Sequence, residues 1–596
     1  MNKKLFIYNV TPINTDVTNL VNFEKKVIKA KELGATHIII TEVIKDRWFW
    51  EQDLSDPYPN WGMLNSALFK IIIPEELKEF LNCDYAKLNY NLVKSRSEIL
   101  KKHGLKAAAY FCEPFYLPES VYRAHPEWRG PRCDHPRRAR RAYFSPCMDN
   151  PEVLSMYKRA MKELCELCEI DYVYLHTNDC GAGICWSEGL YAGPNGPEHC
   201  KGIPLSTRIV NYFRTFREGA ALAGRDIYIE TNSKIGVKEA DSGMENLWPT
   251  LDDKTAVNFK TNKGTPLTSV IDLNYEFTVA PIRNIPMAIT LIEQLEKAYH
   301  EDSEVLRVIM IDHDFDLQYK IIKAFNSSPT NSLASRFALL EKVANEIVQD
   351  GKELVNAWWK IYTGLNHLYS TLMEGFTWIS VNQRMLNRPF VLFPEELKPE
   401  ERDYYRKFQF QAQDENAAND LLNNQGSGFI KGYYATFLAM KALDKANNEF
   451  SLAQKSYKKL IDNADEELKA KLKLAYDRLE LLKCFVNNYK NAMEFQNIVD
   501  ETDFTQIPEL TLRWPQNPDP KLLSFERINR NEVDNTFKII SLIENREREM
   551  LVLAPSIELE DIFWLTTEIT KQLKLKANIM LDHHLDGKRI YISGNK

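Results

Sequence analysis

The run from Tyr172 to Cys200, YVYLHTNDCGAGICWSEGLYAGPNGPEHC, concentrates residue types that do chemistry. Val173 and Leu175 alternate with Tyr172, Tyr174 and His176, which predicts a short, mostly buried strand. The strand runs into Asn178-Asp179 and then into a loop with five glycines, Trp186, Glu188, Tyr191 and three cysteines. A carboxylate at the end of a buried strand, followed by a Gly- and aromatic-rich loop, suits the mouth of a barrel enzyme. Asp179 is the candidate general acid; the plainer alternative is an Asp that caps local backbone amides. Asn178 would direct its amide into the same pocket, or else stiffen the turn.

Chemistry at Asp179 needs further carboxylates, and the predicted strand ends supply them. Strands are expected at Lys4–Asn9, Thr36–Glu42, Lys106–Glu113, a fourth ending at Asp179, Ile227–Asn232, Thr255–Lys260, Leu273–Thr278 and Arg307–Asp312. Acids therefore stand at or near strand ends as Glu42, Glu113, Asp179, Glu230, Glu276 and Asp312. Glycoside hydrolysis is the reaction that most needs several carboxylates round one cleft, one protonated and another ionised. Neighbouring carboxylates in a closed site push their pKa values apart and so divide the labour. Glu230, Glu276 and Asp312 are the candidate partners of Asp179. His176, Glu113, Trp186, Tyr191 and Asn178 are candidate substrate-binding residues, Glu113 with a structural role as its alternative.

Eight strands separated mostly by helix-length amphipathic stretches predict a (β/α)8 barrel over residues 1–330. Asn150-Pro151 predicts a helix start, since Asn suits the cap and Pro the first helical position. The rival is a doubly wound sheet, but no GxGxxG follows the first strand. Residues 331–510 carry apolar residues at helical spacing and are expected to form a mostly helical domain. Beyond the Pro-rich WPQNPDP, residues 511–596 read as a small C-terminal α/β module. Its strands would be Phe537–Ile543, Met550–Leu553, Asn578–His583 and Lys588–Ser593, with a helix around Leu565, Ile569 and Leu573 and a hairpin turn at Asp586-Gly587.

The chain of 596 residues carries 76 basic and 83 acidic side chains, a net charge of −7, which disfavours a nucleic-acid binder. No run of apolar residues is long enough for a membrane span, and the N-terminus reads as a strand rather than a signal peptide. Ten cysteines in so long a chain do not make a disulfide framework, so a cytoplasmic location is expected.

The loop HPRRARR carries Arg137, Arg138, Arg140 and Arg141; a guanidinium fork there suits an acidic sugar, and a solvated basic loop is the alternative. Cys112, Cys133, His135, Cys147, Cys180, Cys185, His199 and Cys200 match no standard zinc spacing, so neither metal nor cofactor is expected. Cys165 and Cys168 lie in a predicted helix and read as core.

An Asn-Asp pair at the end of strand four, with aromatics downstream, resembles the barrels of β-N-acetylhexosaminidases and their α-glucuronidase relatives. The resemblance implies that Asn178 orients a substrate acetamido group and that Asp179 is the acid. This chain has Asn-Asp where the hexosaminidase pair is usually Asp-Glu. Asn followed by an acid also resembles the retaining clan whose nucleophile is a strand-seven Glu, which would be Glu276. The segment APSIELEDIFWLTTEITKQLKLKANIMLDHHLDGKRIYISG resembles the small α/β domain that accompanies such enzymes, there before the barrel and here after it.

The expectation is thus a cofactor-free glycosidase acting on a terminal amino sugar or uronic acid, with a carbohydrate as its partner. A barrel that binds sugar without turnover and a zinc-dependent hydrolase are the alternatives. The helical domain would either complete the cleft or offer a surface for a homo-oligomer.

Overall fold

The computed structural model describes residues 5–11, 17–43, 66–133, 142–176, 203–231, 246–257, 260–272, 281–310, 315–370, 386–406, 408, 433–506, 520–554, 557, 560 and 565–593. It divides into two compact units, Met1–Leu273 with Glu293–Pro329, and Asn274–Ile292 with Thr330–Lys596.

The first unit is built on eight parallel strands: β1 Leu5–Asn9, β2 His37–Ile39, β3 Lys106–Cys112, β4 Ile170–His176, β5 Tyr228–Thr231, β6 Thr255–Ala256, β7 Thr268–Asp272 and β8 Val305–Ile309. Their order is β6-β5-β4-β3-β2-β1-β8-β7. The first strand thus pairs with the last, as closure of a barrel requires. Among the described residues no ladder joins β6 to β7. The side chains close over that seam instead: Thr268 on β7 donates to Glu230 on β5, and Ala256 and Leu267 share the interior cluster with Ile7, Ile39, Ala108, Tyr172 and Val305.

Strand period two makes this interior. Ala108 and Tyr110 on β3, and Tyr172 and Tyr174 on β4, belong to the interior cluster. The buried residues between them face the helices. Those helices are α1 Leu20–Glu32, α2 Cys83–Lys102, α3 Pro151–Leu167, α4 Leu205–Leu222, α5 Ala288–His300 and α6 Phe315–Ser327. The cap expected at Asn150 is present, its side chain accepting from the amides of Glu152 and Val153. Helices α1, α2 and α4 end alike. Gly34, Gly104 and Gly224 take positive φ of 95°, 66° and 73°. The next amide then bonds back five residues, as Leu105 does to Leu100 at 2.9 Å. Cys165 and Cys168, at the end of α3, are buried.

At the N-terminal ends of the strands, Asp171 gathers His37 (3.4 Å), Lys106 (2.7 Å) and Arg225. Burial opposes the charge, but these partners hold its carboxyl well below the usual carboxylate range. That is the face of a barrel where such ties serve stability.

The strand register differs from expectation at the end of the barrel. Strand seven is Thr268–Asp272; the predicted Leu273–Thr278 lies outside the described residues. Strand eight ends at Ile309 rather than at Asp312.

The second unit contains α7 Leu333–Asn345, α8 Gly351–Tyr369, α9 Tyr433–Asp462, α10 Glu466–Asp500, α11 Pro520–Ile543, α12 Ile569–Asp582 and α13 Gly587–Ser593. Helices α8 and α9 approach so closely that a Cβ on Gly364 would lie 2.5 Å from the Phe450 ring. Among the described residues three of the expected strands of the C-terminal α/β module are helical: Phe537–Ile543 is the last part of a long helix, Asn578–Asp582 belongs to α12, and Lys588–Ser593 is helical too. Leu522, Phe525, Ile528, Val533, Ile540 and Ile543 are buried at helical spacing, so the apolar run FKIISLI continues a period begun earlier. Gly587 has φ −57° and opens a helix instead of turning a hairpin. With those strands gone, the resemblance drawn from this segment goes too.

A buried ion pair crosses the helices. Lys576, wholly buried, donates to Glu532 and to the carbonyl of Leu386 at 2.8 Å. Asn488 (2.6 Å) and Asn491 (2.8 Å) donate to the same carboxylate. Every charged oxygen is thereby matched.

Candidate active site at the C-terminal end of the barrel

The C-terminal ends of β3 and β4 bring Tyr110, Tyr174 and His176 together. The rings of Tyr110 and Tyr174 lie 5.5 Å apart, and the Tyr110 hydroxyl is 3.1 Å from His176 Nδ1. All three are only partly buried. Their order follows from the strands: Tyr110 pairs with Tyr174 and Cys112 with His176. Aromatic faces and an imidazole on adjacent strands form a partly exposed floor with the chemistry to stack a flat ring and to exchange hydrogen bonds.

Arg307, on β8, reaches across this floor. Its guanidinium lies 3.7 Å from the Tyr174 ring centroid and donates to the Tyr172 hydroxyl at 3.3 Å. It is 4% exposed. Burial opposes its charge, yet Tyr172, Tyr174, Glu230 and Asp272 together raise its pKa above that of an ordinary arginine.

Asp272 ends β7, on the inward side shared with Thr268. Gln294 ties its backbone at both ends, accepting from its amide at 2.8 Å and donating to its carbonyl at 2.9 Å. The strand expected from sequence begins five residues later, so Asp272 is not among its candidates. The alternation of Thr268, Val270 and Asp272 against Ser269 and Ile271 was the available signal.

Glu230 lies one residue before the end of β5, within the barrel. It is fully buried, and Oε2 accepts from Tyr172 at 2.7 Å and from Thr268. Oε1 has no partner. Burial raises its pKa, against the pull of Arg307, Thr268 and Tyr172.

Glu113 has turned the other way. Its carboxyl accepts from the amides of Leu68 (2.6 Å) and Phe115 (2.8 Å) and from the hydroxyl of Tyr157 on α3 (2.7 Å). Burial pushes it up to about 7, the three donors pulling against that. Those bonds anchor the loops after β2 and β3 on the helix layer.

Glu42 follows β2. Its chain is clamped by Arg96, which donates to the carbonyls of Ile40 (2.8 Å), Glu42 (2.7 Å) and Val17 (2.6 Å). Thr41 bonds the backbone of Tyr110 in both directions at 2.8 Å. The side chain of Asn9, the last residue of β1, donates to the Glu42 carboxyl, and burial pushes that carboxyl up to about 8.

Of the acids and binding residues singled out from sequence, Glu42, Glu113, His176 and Glu230 are described. Asn178, Asp179, Trp186, Tyr191, Arg138, Glu276 and Asp312 lie outside the described residues.

Among the described residues no group of three or more His, Cys, Asp and Glu is arranged to hold a metal ion, and no helix is long and apolar enough to cross a membrane.

No family model and no curated protein matches the sequence. Among solved structures, the chain is similar to a GH138 enzyme targeting pectin rhamnogalacturonan II. The TM-score is 0.49 and the identity 9%, over 98% of this chain and 84% of that one. It is also similar to the GH36 α-galactosidase AgaA from Geobacillus stearothermophilus (TM-score 0.33, 14% identity, 55% of this chain and 42% of that one). A third is an α-amylase from Malbranchea cinnamomea (TM-score 0.30, 12% identity, 57% and 78%). The activity printed for each belongs to that protein.

Proposed function

We propose that the chain is a glycoside hydrolase whose site is the C-terminal mouth of the barrel and whose general acid is Asp179. The observation that supports this best is the convergence at one barrel end of stacked, partly exposed aromatics and carboxyls in different environments. Tyr110, Tyr174 and His176 face that end, with Asp272 beside Arg307 and Glu42 held neutral by burial. This is the division of labour that hydrolysis of a glycosidic bond needs.

Asp179 follows His176 by three residues and protonates the leaving oxygen. Its counterpart is either a second carboxylate, among Glu230, Glu276 and Asp312, or the acetamido group of the substrate, which Asn178 would orient. Glu230 is the weakest of these, because Tyr172 and Thr268 already occupy its Oε2 inside the barrel. The substrate is a terminal amino sugar or uronic acid; for the latter, Arg138 supplies the guanidinium. Trp186 and Tyr191 contribute stacking surfaces from the same loop.

The test is a screen of wild type and Asp179→Asn against aryl glycosides of N-acetylhexosamines, uronic acids and neutral hexoses. Turnover of one class by wild type, with activity on poor leaving groups lost in the variant, supports the assignment. Turnover that survives the substitution removes Asp179 from the mechanism.

A further inference from the structure

Asp272 is the last residue of β7, at the barrel end where the aromatic floor lies. Three observations direct its side chain into that mouth. Thr268, on the same strand, donates to Glu230 inside the barrel, and period two carries Thr268, Val270 and Asp272 to one face. Val270 pairs with Arg307 of β8, whose guanidinium lies 3.7 Å from the Tyr174 ring centroid. Arg307 and Tyr174, on two other strands, both lie near enough to feel the charge of Asp272. Glu42, Glu113 and Glu230 are buried, whereas Asp272 is partly exposed and so open to a ligand.

The strand end that carries it is held in place. Gln294 of α5 accepts from the Asp272 amide at 2.8 Å and donates to the Asp272 carbonyl at 2.9 Å. A carboxylate that must meet a reacting carbon needs such support, because a misplacement of about 1 Å can cost about 10²-fold in rate. Arg307, 4% exposed, sets a fixed positive charge nearby, and an opposite charge favours the ionised form of a carboxyl. The other described acids are placed differently. Glu230 is fully buried, with Oε2 taken by Tyr172 and Thr268, and Glu113 is bonded to the helix layer.

We propose that Asp272 is the second catalytic carboxylate, facing the anomeric carbon of the bound sugar from the side opposite the leaving oxygen. This rests on the glycosidase reading for the reaction. As the bond from the anomeric carbon to the leaving oxygen breaks, its electron pair goes to that oxygen, which takes the proton of the general acid. The sugar ring is left with positive charge, and the negative oxygen of Asp272 compensates it. Over the whole turnover a water molecule supplies a hydroxyl group to that carbon and a proton to the acid.

The experiment compares full-length wild type, Asp272→Asn and Asp272→Ala on dinitrophenyl glycosides of N-acetylglucosamine, glucuronic acid and galactose, with and without sodium azide. Dinitrophenolate departs without a proton, so the general acid does not limit the readout. Circular dichroism checks that each variant is folded; Asp272→Asn, nearly the same size as the native residue, reads the loss even where the smaller variant unfolds. On the glycoside that wild type hydrolyses, both variants are expected to lower kcat about 10²–10⁴-fold. Azide fits the space left in Asp272→Ala. It bonds through nitrogen to the anomeric carbon as dinitrophenolate leaves with the bonding pair, giving a glycosyl azide of inverted configuration. Recovery of the rate by about tenfold or more, with that product, supports the proposal, because azide does not repair a merely structural loss. A folded Asp272→Asn within about tenfold of wild type, or a folded Asp272→Ala that azide leaves inactive, overturns it while the glycosidase reading stands on the wild-type turnover. If wild type hydrolyses none of the three, the glycosidase reading fails and the role of Asp272 fails with it.

Discussion

Replacing Arg307 by Met removes the cation from the barrel interior while keeping most of the side-chain volume. Three contributions are lost. The hydrogen bond to the Tyr172 hydroxyl, at 3.3 Å, contributes about 1 kcal/mol. The guanidinium 3.7 Å over Tyr174, in a desolvated place, contributes about 1–2 kcal/mol. The third is the attraction between Arg307 and the buried carboxyl of Glu230, whose other partners are Tyr172 and Thr268. Burial already raises the pKa of Glu230, so it limits that loss by taking up a proton. The first two contributions alone set the expected destabilisation of Arg307→Met at about 2–3 kcal/mol. The double variant Arg307→Met with Glu230→Gln removes the carboxyl left without its cation and should cost less than the sum of the two single variants. Urea unfolding followed by ellipticity at 222 nm and by tryptophan fluorescence measures both, provided the two transitions coincide. A single substitution costing under about 1 kcal/mol, or a double variant equal to the sum of its parts, refutes the argument that Arg307 compensates the interior carboxylate.

Other outcomes follow from the same geometry. Asp179→Asn is expected to lower kcat by about 10²–10⁴-fold on poor leaving groups, and far less on activated aryl glycosides; equal losses on both would remove the general-acid role. The carboxyl of Glu42 is raised from its ordinary 4.5 to about 8, so the folded state prefers it protonated. Stability should therefore be fullest below about pH 4.5 as far as this group is concerned, and fall by up to about 5 kcal/mol as the pH rises to 8. Glu42→Gln should flatten that decline in thermal melts taken across the window; an unchanged slope argues against the burial effect. Tyr157→Phe takes one donor from Glu113 and should cost about 1–3 kcal/mol in the same unfolding assay, without altering KM. Lys576→Met in the helical unit strands Glu532 and should cost about 3–5 kcal/mol, with Glu532→Leu added to it restoring most of the loss.

The alternation of strands and helices was legible because it is written locally. Period-two runs such as IYN in β1, AAAYFC in β3 and YVYLH in β4 announce strands, and Asn150-Pro151 announces a helix start, whatever the rest of the chain does. The C-terminal segment misled for the converse reason. FKIISLI is an apolar run too short to have its own period, and only the buried positions running back to Leu522 make it helix.

What the sequence by itself determined is therefore the barrel's element order and the presence of acids near its strand ends. Which way each acid points was decided by the tertiary structure alone. Glu113 and Glu230 both stand at expected strand ends, yet one is drawn outward by Leu68, Phe115 and Tyr157, and the other lies inside with Tyr172, Thr268 and Arg307. Asp272 faces inward only because β7 pairs in the register Asp272 to Ile309. Glu42 has no partner for Oε2 among the described residues, and Arg96, distant in sequence, holds the backbone around it. The physical reason is common to all four. A strand's existence depends on neighbours in the chain, whereas a carboxyl's partners, burial and protonation depend on atoms brought from other strands and helices by packing.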